Sequence, residues 1–529
     1  MKRWEPRIDL SKREQMIMKR LKRTRKLFAF LRLHRHEIFD EAFQAELEAM
    51  YRDTGAGAEP VAPAMLCMVL VLQGYAQVSD AEAVELSIMD ARWQMVLDCM
   101  GAEEPVFSQG GLQQFRERLV AGDMDRRILE RTIELAKQTK EFDWKKLPKD
   151  LRIGVDSRPL EGAGRVEDTI NLLGHSARKV IACAAKFLER TPEEICSEAG
   201  TPLLACSSIK AALDINWNVP EERDTAIEIL FGQITLLHGW LEHAPLRLEE
   251  PLKRYIDAIA QISQQDLEVG PNGSVRIRRG VAEDRRVSIE DSEMRHGRKS
   301  KTKRFNGYKE HVACDLDSGL IRACAITPAN RPEEEATPAL SDDMRRQAVR
   351  IRELCIDRGY INSDLVGEVM SSGGEVICKP WALRNSRADL FTKADFKINI
   401  RNKTITCPYG QIEHFEPGQV VEFDAEICGG CELRAQCTHA ASGRGRTVHI
   451  AEDERLQQRL RKLQASPTGR RRLRKRTPVE HKLAHIAARK GPKARYRGTR
   501  KNLFDLRRAS AIQNLETIDR RKSKVIRAG

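Results

Sequence analysis

The sequence predicts an α/β core preceded by an all-α region. Three observations carry that reading. Two short apolar runs, Leu151-Arg-Ile-Gly-Val-Asp156 and Ile351-Arg-Glu-Leu-Cys-Ile-Asp357, read as strands that each end in an aspartate. Between them, Phe305–Asp315 and Leu320–Ile326 alternate as a hairpin around Asp317-Ser-Gly319, and Glu333–Arg350 reads as a helix. Residues 1–145 show helical periodicity with caps and no strand signal.

Composition limits the function. A chain of 529 residues with 41% hydrophobic content can bury a large core and hold several domains. Aromatics are sparse at 5%, charged residues make up 32%, and the net charge is +14. A balance so basic points to a polyanionic partner, and nucleic acid is the first candidate. No segment reaches the roughly 18 uninterrupted apolar residues of a membrane span. Ala64–Leu72 is apolar but too short, and the Lys/Arg-rich start lacks the apolar run of a signal peptide. Most of the thirteen cysteines stand singly in apolar surroundings, as do Cys67, Cys183, Cys324 and Cys355. That is reduced, cytoplasmic usage.

Along the chain, residues 11–50 read as helix, dense in Lys and Arg from Lys12 to Arg35. Leu27, Phe30, Leu31, Leu33 and Ile38 supply its apolar face. The basic face is either solvated or set against DNA. A buried helix enters at Pro63, and the next is capped by Ser79 with Glu82 three positions on. Ser108–Leu119 and Asp123–Lys140 complete the helical region. After the turn Glu161-Gly-Ala-Gly164, residues 166–265 again read as helices, with Trp217 and Trp240 in their core. The strand pattern resumes near residue 285, so this stretch reads as an insertion. Residues 295–304 form a basic loop suited to phosphates. Asn362–Met370 reads as a helix and Glu375–Lys379 as a last strand.

Each candidate acid has a bland reading beside the functional one. Asp156 precedes Ser157 and Asp357 precedes Arg358-Gly359, both ordinary turn chemistry. Yet a carboxylate at the end of a buried strand is costly unless its charge is used. Glu480 completes Thr477-Pro-Val-Glu480, the pattern of a capping box with Pro at the first helical position. It is also the sole acid between Glu454 and Asp505, amid Arg470–Arg476, Lys482, Arg489 and Lys490. Arg495-Tyr-Arg-Gly498, Arg500 and Lys501 extend that basic stretch to a helix ending near Leu515, and Arg520–Lys524 reads as a loose tail. Cys407, Cys428-Gly-Gly-Cys431 and Cys437 flank a β-rich stretch. They suit one tetrahedral zinc or stand as free thiols, with His414 or His439 as substitute ligands.

Taken in order, these motifs resemble bacterial insertion-sequence transposases of the DDE class. The matching residues are Gly-Val-Asp156-Ser, Asn306-Gly-Tyr-Lys-Glu-His-Val-Ala313, Ile-Thr-Pro-Ala-Asn330 and Asp357-Arg-Gly-Tyr360. They continue with the four cysteines, Arg476 one turn before Glu480, Arg-Tyr-Arg-Gly498 and Asn514. The resemblance implies an RNase H-like catalytic domain over residues 146–515, after an all-α DNA-binding or assembly domain over 1–145. It carries a helical insertion over about 166–290, a four-cysteine, zinc-ribbon-like β insertion over about 385–450, and a basic tail over 516–529. It implies Asp156, Asp357 and Glu480 as ligands of two Mg²⁺ or Mn²⁺ ions, a structural Zn²⁺ on Cys407, Cys428, Cys431 and Cys437, and DNA contacts from Arg476, Arg495, Arg497, Arg500 and Lys501. The implied partners are double-stranded DNA, as terminal inverted repeats and target, and further copies of the chain in a homodimer or higher oligomer. Many members carry a tyrosine and a lysine around the glutamate. Here Leu473 and Ala487 stand at those positions, and Lys490 is the substitute lysine on offer. Two metals activate a water and stabilise the leaving oxygen, and a freed 3′-hydroxyl can then replace water in strand transfer. Competing readings are a nuclease of the same fold that does not join ends, and a non-catalytic DNA-binding descendant.

Overall fold

In a computed structural model of the chain, the described residues are 3–21, 26–51, 59–138, 147, 149–271, 273–300, 302–383 and 390–528, with side chains described up to Arg521. Part of the basic run before Arg35 (residues 22–25), the expected domain boundary near 145 and the expected start of the cysteine insertion near 385 lie outside them.

Between Lys12 and Gln138 the described residues form eight helices. The stretch 11–50, expected as one helix, is three: Lys12–Arg20, Leu27–Ile38 and Glu41–Glu48. Phe39 leaves the helical conformation, and Asp40 starts the third helix by accepting from the Phe43 N–H at 2.9 Å. Leu27, Phe30, Leu31 and Ile38 are buried as expected, but Leu33 is 46% exposed. Arg32 and Arg35 are buried in its place. Arg32 donates to Glu14 at 2.6 Å, and Arg35 donates to the carbonyls of Met95 and Val96 at 3.0 and 2.9 Å. Two cations of the basic helix are therefore committed inside the bundle. Pro63–Ala76 has Pro at its start and buried residues on every side, as a central helix must. Ser79 and Glu82 form the expected capping box. Among the described residues no single helix is long and apolar enough to cross a membrane.

Among the described residues thirteen strands follow: β1 (Leu151–Glu161), β2 (Leu267–Val269), β3 (Val275–Ile277), β4 (Arg295–Arg298), β5 (Arg304–Asp315), β6 (Ile321–Pro328), β7 (Ile351–Cys355), β8 (Glu375–Ile377), β9 (Lys397–Asn399), β10 (Thr404–Thr406), β11 (Ile412–His414), β12 (Val420–Glu422) and β13 (Thr447–His449). The chain divides into two units. The first holds residues up to Leu151, Asp156–Arg350 and everything from Val479; the second holds Arg152–Val155 and Ile351–Pro478.

In the first unit the strand order is β4-β5-β1, with β6 also on β5. The β5–β6 hairpin is antiparallel, Val312 facing Cys324, with an irregularity at Ala313/Cys314. The strand carrying Asp156 does not stop there; it runs on to Glu161. Its extension is held by the segment after residue 491: the Glu161 N–H donates to the Pro492 carbonyl at 2.8 Å and the Ala494 N–H to the Glu161 carbonyl at 2.6 Å. The helix Thr499–Ala528 packs against Met124–Gln138, Pro63–Ala76 and β6. Asn514 pairs with both backbone groups of Ile321, at 2.8 and 3.0 Å. This helix continues through the expected tail, where Arg521 donates to the Ser318 carbonyl at 2.7 Å. The insertion forms six helices between Thr169 and Asp266 around its own core. Strand structure returns earlier than expected, with the β2–β3 hairpin. Trp217 and Trp240 are half-buried at the rim of that core rather than inside it.

In the second unit, residues 152–155 of β1, then β7, then β8 are neighbours, with β7 and β8 parallel. β7 ends at Cys355, two residues before Asp357. Strands β9–β11 form one antiparallel sheet and β12–β13 another, around Phe396, Ile405, Phe415, Phe423, Val448 and Ile450.

Gly307 shows how closely β1 and β5 approach. Its φ is +153°, and a Cβ there would lie 2.2 Å from the Leu160 carbonyl oxygen. Because the obstacle is backbone, no rotamer relieves it. Gly307→Ala is expected to destabilise the protein by about 1–3 kcal/mol or more, read by chemical denaturation. Wild-type stability in that variant would contradict this packing.

Candidate active site

Asp156 sits on β1 directly after the fully buried Val155, itself half-buried, and accepts from the Ser157 N–H at 2.9 Å. The Ser157 hydroxyl donates to Glu333 at 2.5 Å, which brings a second acid next to this strand. Asp357 is the cap of the short 3-10 turn Arg358–Tyr360 and accepts from the Arg358 N–H at 2.8 Å. The turn chemistry of the bland reading is thus present. Even so, the Asp357 side chain remains 51% exposed, with an Arg476 nitrogen at 3.9 Å. Glu480 is exposed in the first turn of the helix Thr477–Lys490, whose opposite face buries Val479, Leu483 and Ile486. The capping-box reading fails for a geometric reason. Thr477 is itself helical, with φ −46° and ψ −38°, whereas an N-cap residue adopts extended backbone. Asp156 and Glu480 belong to the first unit, Asp357 and Arg476 to the second. Among the described residues no three His, Cys, Asp or Glu side chains are placed to hold one ion.

A set of buried charges links the strand of Asp156 to the far end of the Glu480 helix. Glu310 on β5 has a fully buried side chain; Arg158 and Lys490 both donate to it, Lys490 at 2.6 Å. Lys490 also pairs with Asp505 at 2.9 Å, Asp505 with Arg508 at 2.6 Å, and Arg508 with Gln73 at 2.8 Å. Burial by itself would raise the Asp505 carboxyl, but Lys490 and Arg508 hold it below the usual carboxylate range. Lys490 is 3% exposed and fully engaged, so it does not stand in for the missing lysine on a phosphate. Glu310, Arg158 and Glu333 were missed in the sequence. The available signal was Glu310 itself, an acid within the apolar Phe305–Asp315 run.

The basic residues sort by their partners. Arg472 donates to Glu353 and Glu375 at 2.9 and 2.6 Å and so braces β7 and β8. Arg470 donates to the Ala465 carbonyl at 2.7 Å, while Arg471, Arg474 and Lys475 are exposed. Arg495 donates to the Val78 carbonyl at 2.5 Å, and Arg497 pairs with Glu290 while staying 56% exposed. Arg500 pairs with the buried Asp125, and Lys501 is exposed. Cys407, Cys428, Cys431 and Cys437 all line one small cavity, with Phe391 and Phe423. Burial pushes the Cys437 thiol up, and Cys428, Cys407 and Cys431 add to that effect.

Residues 281–515 match the family described as transposase DDE domain, and residues 17–118 match a second transposase domain. The chain belongs to the DDE transposases. No curated protein and no solved structure matches it. A DDE domain implies the RNase H-like fold, and the observed chain is a mixed helix and sheet protein with a helical N-terminal region. The DDE match spans Asp357, Arg476 and Glu480 of this transposase and begins after Asp156; the second match lies within the N-terminal helices. DNA is the partner that the family implies.

Proposed function

We propose that this transposase binds the terminal inverted repeats of an insertion sequence, cleaves DNA by metal-dependent phosphodiester hydrolysis and joins the freed 3′-hydroxyl ends to target DNA. It acts in the bacterial cytoplasm as a homodimer or higher oligomer on DNA. The observation that carries this reading is Glu480: an exposed acid in the first turn of the helix Thr477–Lys490, inside the matched DDE domain.

Asp156, Asp357 and Glu480 supply hard carboxylate oxygens, the donors that Mg²⁺ or Mn²⁺ takes, and each is at least partly open to solvent. When bound, two such ions supply an activated water and a stabilised leaving oxygen. The protein's own groups do the rest. The Ser157 and Arg358 N–H groups orient Asp156 and Asp357. Arg476, 3.9 Å from Asp357, puts a positive charge beside that acid, a guanidinium suited to a phosphate. The same acids serve both cleavage and joining, with the 3′-hydroxyl replacing water. Alanine at any of the three acids is expected to abolish both cleavage and the joining of pre-cut ends to a plasmid while leaving DNA binding within about twofold. Retained cleavage in any one of them would remove that residue from the site.

Arg497 and Lys501 are the accessible phosphate contacts of the C-terminal stretch, with Arg476. Arg495 donates to the Val78 carbonyl and Arg500 pairs with Asp125, so both have partners within the protein. Neutralising Arg497 and Lys501 together should weaken binding equally for repeat and unrelated DNA. It should also reduce the slope of log affinity against log salt by about two. An unchanged slope would place phosphate binding elsewhere.

Cys407, Cys428, Cys431 and Cys437 line one cavity, although their side chains as placed do not form an ion site. Four thiols are the donor type a structural zinc takes, which is the role proposed for them. Purified protein should carry about one zinc per chain by elemental analysis, and Cys431→Ser should lower that content. Metal-free protein with all four thiols freely titratable would reject the site.

A further inference from the structure

The buried carboxylate of Glu310 stands between two elements of the first unit that carry acids. Arg158 reaches it from β1 and Lys490 from the end of the Glu480 helix. Arg158 follows Asp156 by two residues, so both side chains leave the strand on one side. Arg158 also lies 3.4 Å from the Gly491 carbonyl, placing a cation at the carbonyl end of that helix. The backbone pairing of Glu161 with Pro492 and Ala494 closes the same junction. Glu310 is therefore an acceptor shared by the strand of Asp156 and the helix of Glu480.

Stability alone does not account for this arrangement. Apolar residues of similar volume commonly replace a buried ion cluster without loss of stability. Charge-assisted hydrogen bonds add direction: each has a narrow range of length and angle, so the pieces they join fit in one register. We infer that Glu310 is a positioning residue, holding β1 and the Glu480 helix in the register that presents Asp156 and Glu480 to the same ions. The inference rests on the assignment of those two acids to the metal site.

The test is Mn²⁺ titration of the full-length protein without DNA, by calorimetry, with thermal midpoints measured in parallel. Glu310→Gln keeps the shape and removes the charge; it is expected to weaken Mn²⁺ binding about tenfold, the usual scale for a group that orients a metal ligand. Asp505→Asn breaks the same cluster on its far side and should stay within about twofold of wild type in Mn²⁺ affinity, whatever its thermal midpoint. Wild-type affinity in Glu310→Gln, or equal weakening in Glu310→Gln and Asp505→Asn, overturns the proposal. Should Glu310→Gln fail to fold, Glu310→Asp decides, because it keeps the charge and shortens the reach; unchanged affinity there overturns the proposal and weakened affinity supports it. Asp156→Asn separates the two levels. If it leaves Mn²⁺ binding intact, the assignment of the metal acids falls and the positioning role with it. If it weakens binding while the Glu310 variant does not, the positioning role alone is lost.

Discussion

A carboxylate with no access to water must be matched by cations, and in this protein that requirement falls on Glu310. Its two partners come from segments more than 300 positions apart in sequence, Arg158 and Lys490. Lys490 is then balanced by Asp505, Asp505 by Arg508, and Arg508 by Gln73 of the central N-terminal helix. Each member leaves an unmatched buried charge if its neighbour is removed, which is far more costly than never having had the pair. The chain of charges therefore couples the N-terminal helices, the long C-terminal helix, β5 and the Glu480 helix within one unit. A similar logic operates nearby, where Arg500 and Arg507 meet Asp123 and Asp125, and Arg507 also meets Asp343.

This accounts for a basic protein that uses many of its arginines internally. Arg32 and Arg35 in the N-terminal bundle, Arg472 between β7 and β8, and Arg500 against Asp125 are structural. Net charge points to a polyanionic partner, but it does not say which cations would face one. Arg471, Arg474, Lys475, Arg497 and Lys501 remain exposed.

The order of strands and helices was legible because alternation and apolar runs are local signals. So were the Ser79 cap, Pro63 at a helix start and the Asp317-Gly319 turn. The run of β1 past Asp156 was not legible, because it depends on pairing with residues 492–494, far away in sequence. The helix continuing through Arg520 was hidden for the same reason, since the Ser318 carbonyl receives Arg521. At the candidate site, sequence order marked Asp156, Asp357 and Glu480. Thr477-Pro-Val-Glu480 looked like a cap because the pattern says nothing of the preceding turn, Arg474–Arg476, which carries Thr477 into helical backbone. Lys490 looked like a phosphate ligand because its buried partners, Glu310 and Asp505, are distant in sequence or beyond a break.

The central claim is that Asp156, Asp357 and Glu480 serve one pair of ions. Crystals of the protein grown with Mn²⁺, and data collected for anomalous scattering, test it most directly. The account predicts two peaks about 4 Å apart, with oxygens of Asp156, Asp357 and Glu480 all within bonding distance of one or the other. Mn²⁺ bound away from these carboxylates, or bound with Glu480 turned from both peaks, would contradict it.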